Sequence, residues 1–395
     1  MMYISAGKWF SVVLLVILCT MLSAGAWGLD DNSLWDSAMA KFEAGDLQGA
    51  AALFNQLISQ YPNSPKVPGA KLKLAEIERL ANPNAGTDES IQALAEVMEQ
   101  YPASPEAAEA LMQQGFVYAK TRQPADTELA IQAFSTFLSA YPNNLSAAKV
   151  RNSLGMLYAR KGDLDRAEAT LDSVRGSAGV TKELAERSAL HSGFIKIMKY
   201  FASYKKEHLR NAISALGAVT LSSDPVVKGK ADLGIAEATL MLGNPLEARE
   251  LYRKAAAAYA SQGYFAGIAL YGVAMSSQEA GEREQAVEDY DKLLSKAMGQ
   301  TLPDKDASWK SACLASLGQS MHGVVLSSGK FELVPGSDLM YLAVFNKANC
   351  LYELGRYDEA KSVLAELVAS AEGTDLGKRA FQLLERSQNA KGGRQ

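Results

Sequence analysis

The chain has 395 residues, with 40 basic and 44 acidic side chains and a net charge of −4. That balance lacks the basic excess of a nucleic-acid binder. A hydrophobic content of 48% rules out a wholly disordered chain, and a mean hydropathy of −0.08 rules out a multi-span membrane protein. The length fits two or three domains, or one long repeat array.

The N-terminus reads as an export signal, residues 1–26. Lys8 supplies a positive start, and Trp9 to Leu22 is an uncharged apolar run. Ser23, Ala24, Gly25 and Ala26 then offer a small-residue cleavage site. The run is shorter than the ~20 apolar residues of a spanning helix, which favours cleavage over an uncleaved anchor facing the periplasm. Cys19 raises a lipoprotein reading, but Leu18 precedes it where a lipobox wants a small residue. Cys19 is therefore expected to leave with the signal. Removing residues 1–26 takes away Lys8 and no acid, so the mature charge becomes −5. Of the remaining cysteines, Cys313 and Cys350 lie in Ala/Leu-rich helical stretches and are expected as buried thiols rather than a bridge.

Beyond residue 29 the chain repeats itself. Tyr61-Pro62-Asn63-Ser64-Pro65 returns as Tyr101-Pro102-Ala103-Ser104-Pro105, and Tyr141-Pro142 follows at the same interval. A second pattern is a Gly followed five residues on by Ala: Gly45/Ala50, Gly162/Ala167, Gly243/Ala248, Gly281/Ala286 and Gly355/Ala360. Four residues past each Ala stands a large side chain: Phe54, Leu171, Tyr252, Tyr290 and Leu364. Seven before each Gly stands a small one: Ala38, Gly155, Ala236, Ala274 and Ala348. The Gly suits the left-handed end of a first helix. The small residues mark a close helix crossing, and the large one fills the space beside it. Ser64-Pro65, Ser104-Pro105, Asp224-Pro225 and Asn244-Pro245 read as a cap followed by proline at the first helical position. Asn244 with Glu247 fits a capping box.

These spacings resemble the tetratricopeptide repeat (TPR), with Leu154-Gly155-x-x-Tyr158, Gly162, Ala167 and Leu171 as the best single copy. The resemblance implies an all-α, right-handed superhelix (an α-solenoid) of about eight helix pairs with a C-terminal capping helix. About four repeats are expected over 29–180, of which two carry three extra turn residues. A degenerate helical repeat over 181–228 and a TPR pair over 229–300 follow. A degenerate helix, the final repeat and the cap are expected over 301–388, then a polar tail over 389–395. A degenerate helix is expected within 305–330, an irregular connection from Lys330 to Ser337, and no strand of consequence.

No catalytic constellation emerges. His191, His208 and His322 are scattered, and none has a partner at ligand spacing. The chain has no phosphate loop, no G-x-S-x-G and no H-E-x-x-H. No enzyme activity, cofactor, metal, nucleic-acid partner or small-molecule substrate is expected.

The resemblance implies a concave groove lined by first-helix residues. Here these are Trp35, Met39 and Phe42, then Met112 and Phe116, then Asn152, Met156 and Arg160. Later repeats add Leu233, Met241, Tyr271, Met275, Phe345, Asn349 and Tyr352. A set rich in Met and aromatics suits an adaptable apolar contact; the alternative is that these residues pack against adjacent repeats. A carboxylate clamp is absent, because Asn152 and Asn349 stand far apart in sequence. With the export signal, the Tyr-Pro motifs resemble bacterial envelope TPR proteins of two types: the Tol-Pal cell-division coordinator and the outer-membrane assembly lipoprotein. The implied function is a periplasmic scaffold that binds envelope proteins. The alternative is a regulatory subunit of a cell-wall or polysaccharide-export enzyme complex.

Overall fold

In the computed structural model the described residues are 30–81, 87–121, 123–261, 263–297, 323–325, 331–333 and 339–390. The expected signal, Cys19, Cys313, His322 and the polar tail from 391 lie outside them. No helix among the described residues is long and apolar enough to cross a membrane.

The glycine spacing builds the helix pairs. Gly45, Gly162, Gly243, Gly281 and Gly355 all take positive φ, between 75° and 91°. In each case two backbone bonds close the first helix. The Gly45 N–H donates to Phe42 O and the Asp46 N–H to Lys41 O, and the four other turns repeat this pattern. It is the Schellman closure, which satisfies carbonyls that the helix end would leave unpaired. The next helix starts at once, and Asp46 and Asp163 cap it by accepting from the Gly49 and Arg166 N–H groups.

Five pairs follow this plan: α1 (Asp31–Glu43) with α2 (Leu47–Gln60), α7 (Ala147–Arg160) with α8 (Leu164–Asp172), α11 (Pro225–Met241) with α12 (Pro245–Ala258), α13 (Gly263–Glu279) with α14 (Arg283–Ala297), and α15 (Leu339–Glu353) with α16 (Tyr357–Ser370). All five large residues, Phe54, Leu171, Tyr252, Tyr290 and Leu364, are buried. The crossing is close at Gly155, where a Cβ would come 2.6 Å from Leu171 Cγ.

Pairs α3 (Val67–Ala81) with α4 (Thr87–Gln100), and α5 (Pro105–Thr121) with α6 (Pro124–Ala140), complete the N-terminal repeats with longer turns. The Tyr-Pro segment makes the same turn three times: the Ser64, Ser104 and Asn144 N–H groups donate to the carbonyls of Tyr61, Tyr101 and Tyr141. Pro105, Pro225 and Pro245 open their helices as expected. Pro65 does not, because α3 begins two residues later at Val67, with the Lys66 N–H donating to Ser64 Oγ. The Asn244 side chain makes no cap bond, so that expected capping box does not form.

The stretch expected as degenerate is a further pair, α9 (Lys182–Ser203) with α10 (Lys206–Gly217). Gly193 meets Leu216 as Gly155 meets Leu171, at 2.6 Å for an added Cβ. Here Tyr204 takes the left-handed turn position, with φ 55°. Helix α17 (Asp375–Asn389) covers the last pair with Leu376, Ala380 and Leu383. The chain is thus all-α in class, a TPR α-solenoid with eight described helix pairs and a capping helix.

The chain divides into two compact units, residues 1–137 and 138–395, with the division inside α6. In the first, Leu34, Phe54, Leu57 and Val67 lead one core cluster and Leu72, Leu94 and Val97 another. In the second, a long apolar core runs from Leu233 to Leu383. Within it α14 packs directly on α15, so residues 298–338 interrupt the sequence without interrupting the stack. The degenerate helix expected within 305–330 lies outside the described residues, except that Gly323–Val325 is a strand, β1. It pairs antiparallel with β2 (Phe331–Leu333), Val324 opposite Glu332. This hairpin replaces part of the expected irregular connection.

Candidate partner surface

In each pair the small residue faces the second helix. Side chains three before and one after it form a separate stripe along the first helix. The structure divides the expected groove residues by their place on that stripe.

In the N-terminal unit the stripe of α1 is accessible. Trp35 is half-buried, edge-on to Phe54 at 5.6 Å, and the Lys66 ammonium stands 5.5 Å from the centre of its ring. Gly69 of α3 makes room for that ring; a Cβ there would lie 2.9 Å from it. Met39 and Phe42 are also half-buried, and Lys73 sits 4.7 Å over Phe42 while pairing with Glu76 at 2.8 Å. The row is therefore aromatic and sulfur-rich, with two lysines on its ring faces. Each such contact contributes ~0.5–1 kcal/mol at a partly exposed site. On α5, Phe116 is half-buried and meets Phe134 edge-on at 4.9 Å, an approach that Gly115 permits. Met112 is a correction: it is buried in α5 rather than open to a groove.

In the second unit Asn152, Met156 and Arg160 of α7 are half-buried. Asn152 Oδ1 lies 3.3 Å from His191 Nδ1. Burial, with Lys230 and Arg187 nearby, lowers the His191 pKa to about 4, so the ring is neutral at pH 7. Leu233 is buried and Met241 half-buried. Tyr271, Met275, Phe345 and Asn349 are corrected too: all four are buried, and only Tyr352 of that group is half-buried. Tyr271 Oη accepts from Asn346 Nδ2 at 2.9 Å, and Tyr290 Oη donates to Gln278 Oε1 at 2.9 Å. Burial pushes the hydroxyl pKa of both tyrosines up.

Three residues of these faces escaped the sequence reading. Lys66 and Lys73 flank the second repeat, whose longer turn blurs its spacing. Glu237 stands one after Ala236, the place that Met39 and Met156 hold in their own pairs, and the same spacing could have found it. Burial raises the Glu237 carboxyl to about 8.

The described residues include one arrangement with a catalytic look. Ser192 and Lys196 lie on one face of α9, the lysine Nζ 2.5 Å from the serine Oγ. Lys196 also pairs with Glu168 at 3.2 Å and Asp172 at 3.1 Å. Ser192 is buried and donates to Asp172 at 2.5 Å. The network ties α8 to α9. Among the described residues no group of three His, Cys, Asp or Glu is placed to hold a metal.

Comparison with known proteins agrees with this architecture. The model of the YfiO family, described as outer membrane lipoprotein, matches residues 29–161, that is α1 to α7. The tetratricopeptide repeat model matches residues 268–297 and 342–371, the pairs α13–α14 and α15–α16. No curated protein matches the chain. Among solved structures, the C-terminal part of a TPR repeat-containing protein from Cytophaga hutchinsonii is 16% identical with a TM-score of 0.50, covering 66% of this chain and 94% of that one. A signal transduction ATPase with a tetratricopeptide repeat sensor, from Pyrococcus horikoshii, is 14% identical with a TM-score of 0.50, covering 87% of this chain and 50% of that one. At such identity the likeness is one of fold. Repeat spacing, the two segments that match the repeat model and the fold together show an architecture of tetratricopeptide repeats.

Proposed function

We propose that the protein is a non-enzymatic scaffold of the bacterial cell envelope, holding a partner protein on the first-helix face of its N-terminal unit. The observation that carries this is the row Trp35, Met39 and Phe42, half-buried and flanked by Lys66 and Lys73. Large rigid rings and a flexible thioether give contact area at low entropic cost. The flanking ammonium groups favour a partner segment that mixes apolar with acidic side chains. The match of residues 29–161 to an outer membrane lipoprotein family supports an envelope location, as does the export-signal pattern. Cys19 follows Leu18, so the exported form is soluble in the periplasm after cleavage rather than lipid-anchored.

The test is crosslinking of the tagged protein in cells, followed by mass spectrometry, beside a Trp35→Ala/Phe42→Ala variant. A dominant envelope protein retained by the wild type and lost from the folded variant is the expected result. Equal capture by both would move the partner to another surface. Labelling of the tagged protein by a palmitate analogue, abolished by Cys19→Ser, would overturn the soluble form.

A further inference from the structure

The position one after the small residue behaves differently along the chain. Met39, Phe116, Met156 and Glu237 hold it in their repeats and are half-buried. Met275 and Asn349 hold it in α13 and α15, and are 3% and 8% exposed. One other aromatic at this position, Phe194, is buried for a visible reason. Its ring fills the space left by Gly234, where a Cβ would come 3.2 Å from it.

A strand lies against both of these helices. The Cα atoms of β1 come within 8 Å of both α13 and α15, the first helices of two successive repeats. An isolated two-stranded hairpin is at best marginally stable in water. Three residue pairs, Gly323 with Leu333 through Val325 with Phe331, need a surface beneath them. Both first helices offer apolar and aromatic side chains at the spacing of a groove. The pairs α13–α14 and α15–α16 stack directly on each other, so the segment carrying the hairpin is not needed to bridge them.

We propose that the first-helix face of α13 and α15 is a strand-accepting groove filled by the chain's own segment Gly323–Val325. That segment is an internal ligand, which a partner of this face must displace. The proposal does not depend on the partner surface assigned to the N-terminal unit.

Thiol accessibility tests it on the mature chain. In a Cys313→Ser/Cys350→Ala background, single reporters are placed by Met275→Cys, Asn349→Cys and, as control, Met39→Cys. With the hairpin present, alkylation at 275 and 349 is expected to run at least ~10-fold slower than at 39. Replacing residues 300–336 by a linker of about four residues, a length that ordinarily joins packed helices, should bring all three rates within ~3-fold. Slow reaction at 275 and 349 after excision, with helical circular dichroism retained, overturns the proposal, because the cover is then helical. Fast reaction in the intact chain overturns it equally. If the excised chain does not fold, Val324→Pro carries the test, since proline is poorly tolerated within a paired strand. The rates at 275 and 349 should then rise ~3-fold or more, and unchanged rates in a folded Val324→Pro protein overturn the proposal.

Discussion

The stripe of α1 and the stripes of α13 and α15 start from the same spacing and end differently. On α1, Trp35 and Met39 flank Ala38 and stay half-buried. On α13 and α15, Tyr271 and Met275 flank Ala274, Phe345 and Asn349 flank Ala348, and all four are buried. Periodicity says which way a side chain points, whereas the number of elements packed over that face decides whether it reaches a partner. The same stripe is thus partly open on α1 and part of the core on α13 and α15.

The sharpest way to break this comparison is to truncate one aromatic on each face. Tyr271→Ala should cost about 3–5 kcal/mol in urea unfolding, as for other large buried aromatics. It also strips Asn346 Nδ2 of its 2.9 Å partner. Trp35→Ala should cost about 1–2 kcal/mol, because the ring is only partly buried. If the two losses are equal, the faces do not differ in the way described.

Glu237 sharpens the comparison by pH. Its folded carboxyl titrates near 8, against 4.5 for an ordinary one. The folded state therefore keeps a proton that the unfolded state releases, and stability is lost as pH rises from about 4.5 to about 8. Glu237→Gln should unfold at a higher temperature than wild type at pH 9 and at a similar one at pH 4. The reverse order at pH 9 would mean that an unrecognised cation holds the carboxylate. Smaller still, Tyr271→Phe leaves the ring and removes one acceptor from Asn346, at a cost of about 1 kcal/mol.

How much of this was legible can be judged residue by residue. Gly45, Gly162, Gly243, Gly281 and Gly355 were readable as turns because a left-handed helix end penalises any Cβ. The fifth pair was blurred because Tyr204 occupies that conformation with a side chain, after a helix that runs longer than its counterparts. The start of α3 was misplaced by two residues, since proline permits a helix start without compelling one. Trp35, Met39, Phe42 and Phe116, which the repeat resemblance put in a groove, are half-buried. Tyr271, Met275, Phe345 and Asn349, put there by the same resemblance, are buried. The burial of Met275 and Asn349 does not follow from their own repeat spacing, and no local rule assigns a strand such as β1 to distant helices.

The finest test uses one substitution at two glycines. Gly69→Ala and Gly115→Ala each add a methyl group inside a first helix, where alanine is favoured over glycine by ~1 kcal/mol. At Gly115 the new Cβ would come 2.5 Å from Phe134, a fully buried ring with no room to retreat. The overlap should outweigh the helix gain, for a net loss of about 1–2 kcal/mol. At Gly69 the new Cβ would come 2.9 Å from Trp35, a half-buried ring that can tilt toward water. Relaxation there should leave stability within ~0.5 kcal/mol of wild type. The tilt would nevertheless carry the indole away from Lys66 and change the surface a partner meets. Gly69→Ala should therefore weaken partner capture in a protein as stable as wild type, measured by the same crosslinking beside a thermal melt. A loss of stability at Gly69 equal to that at Gly115 would mean that Trp35 is locked in the core, and the open face would then begin at Met39 and Phe42.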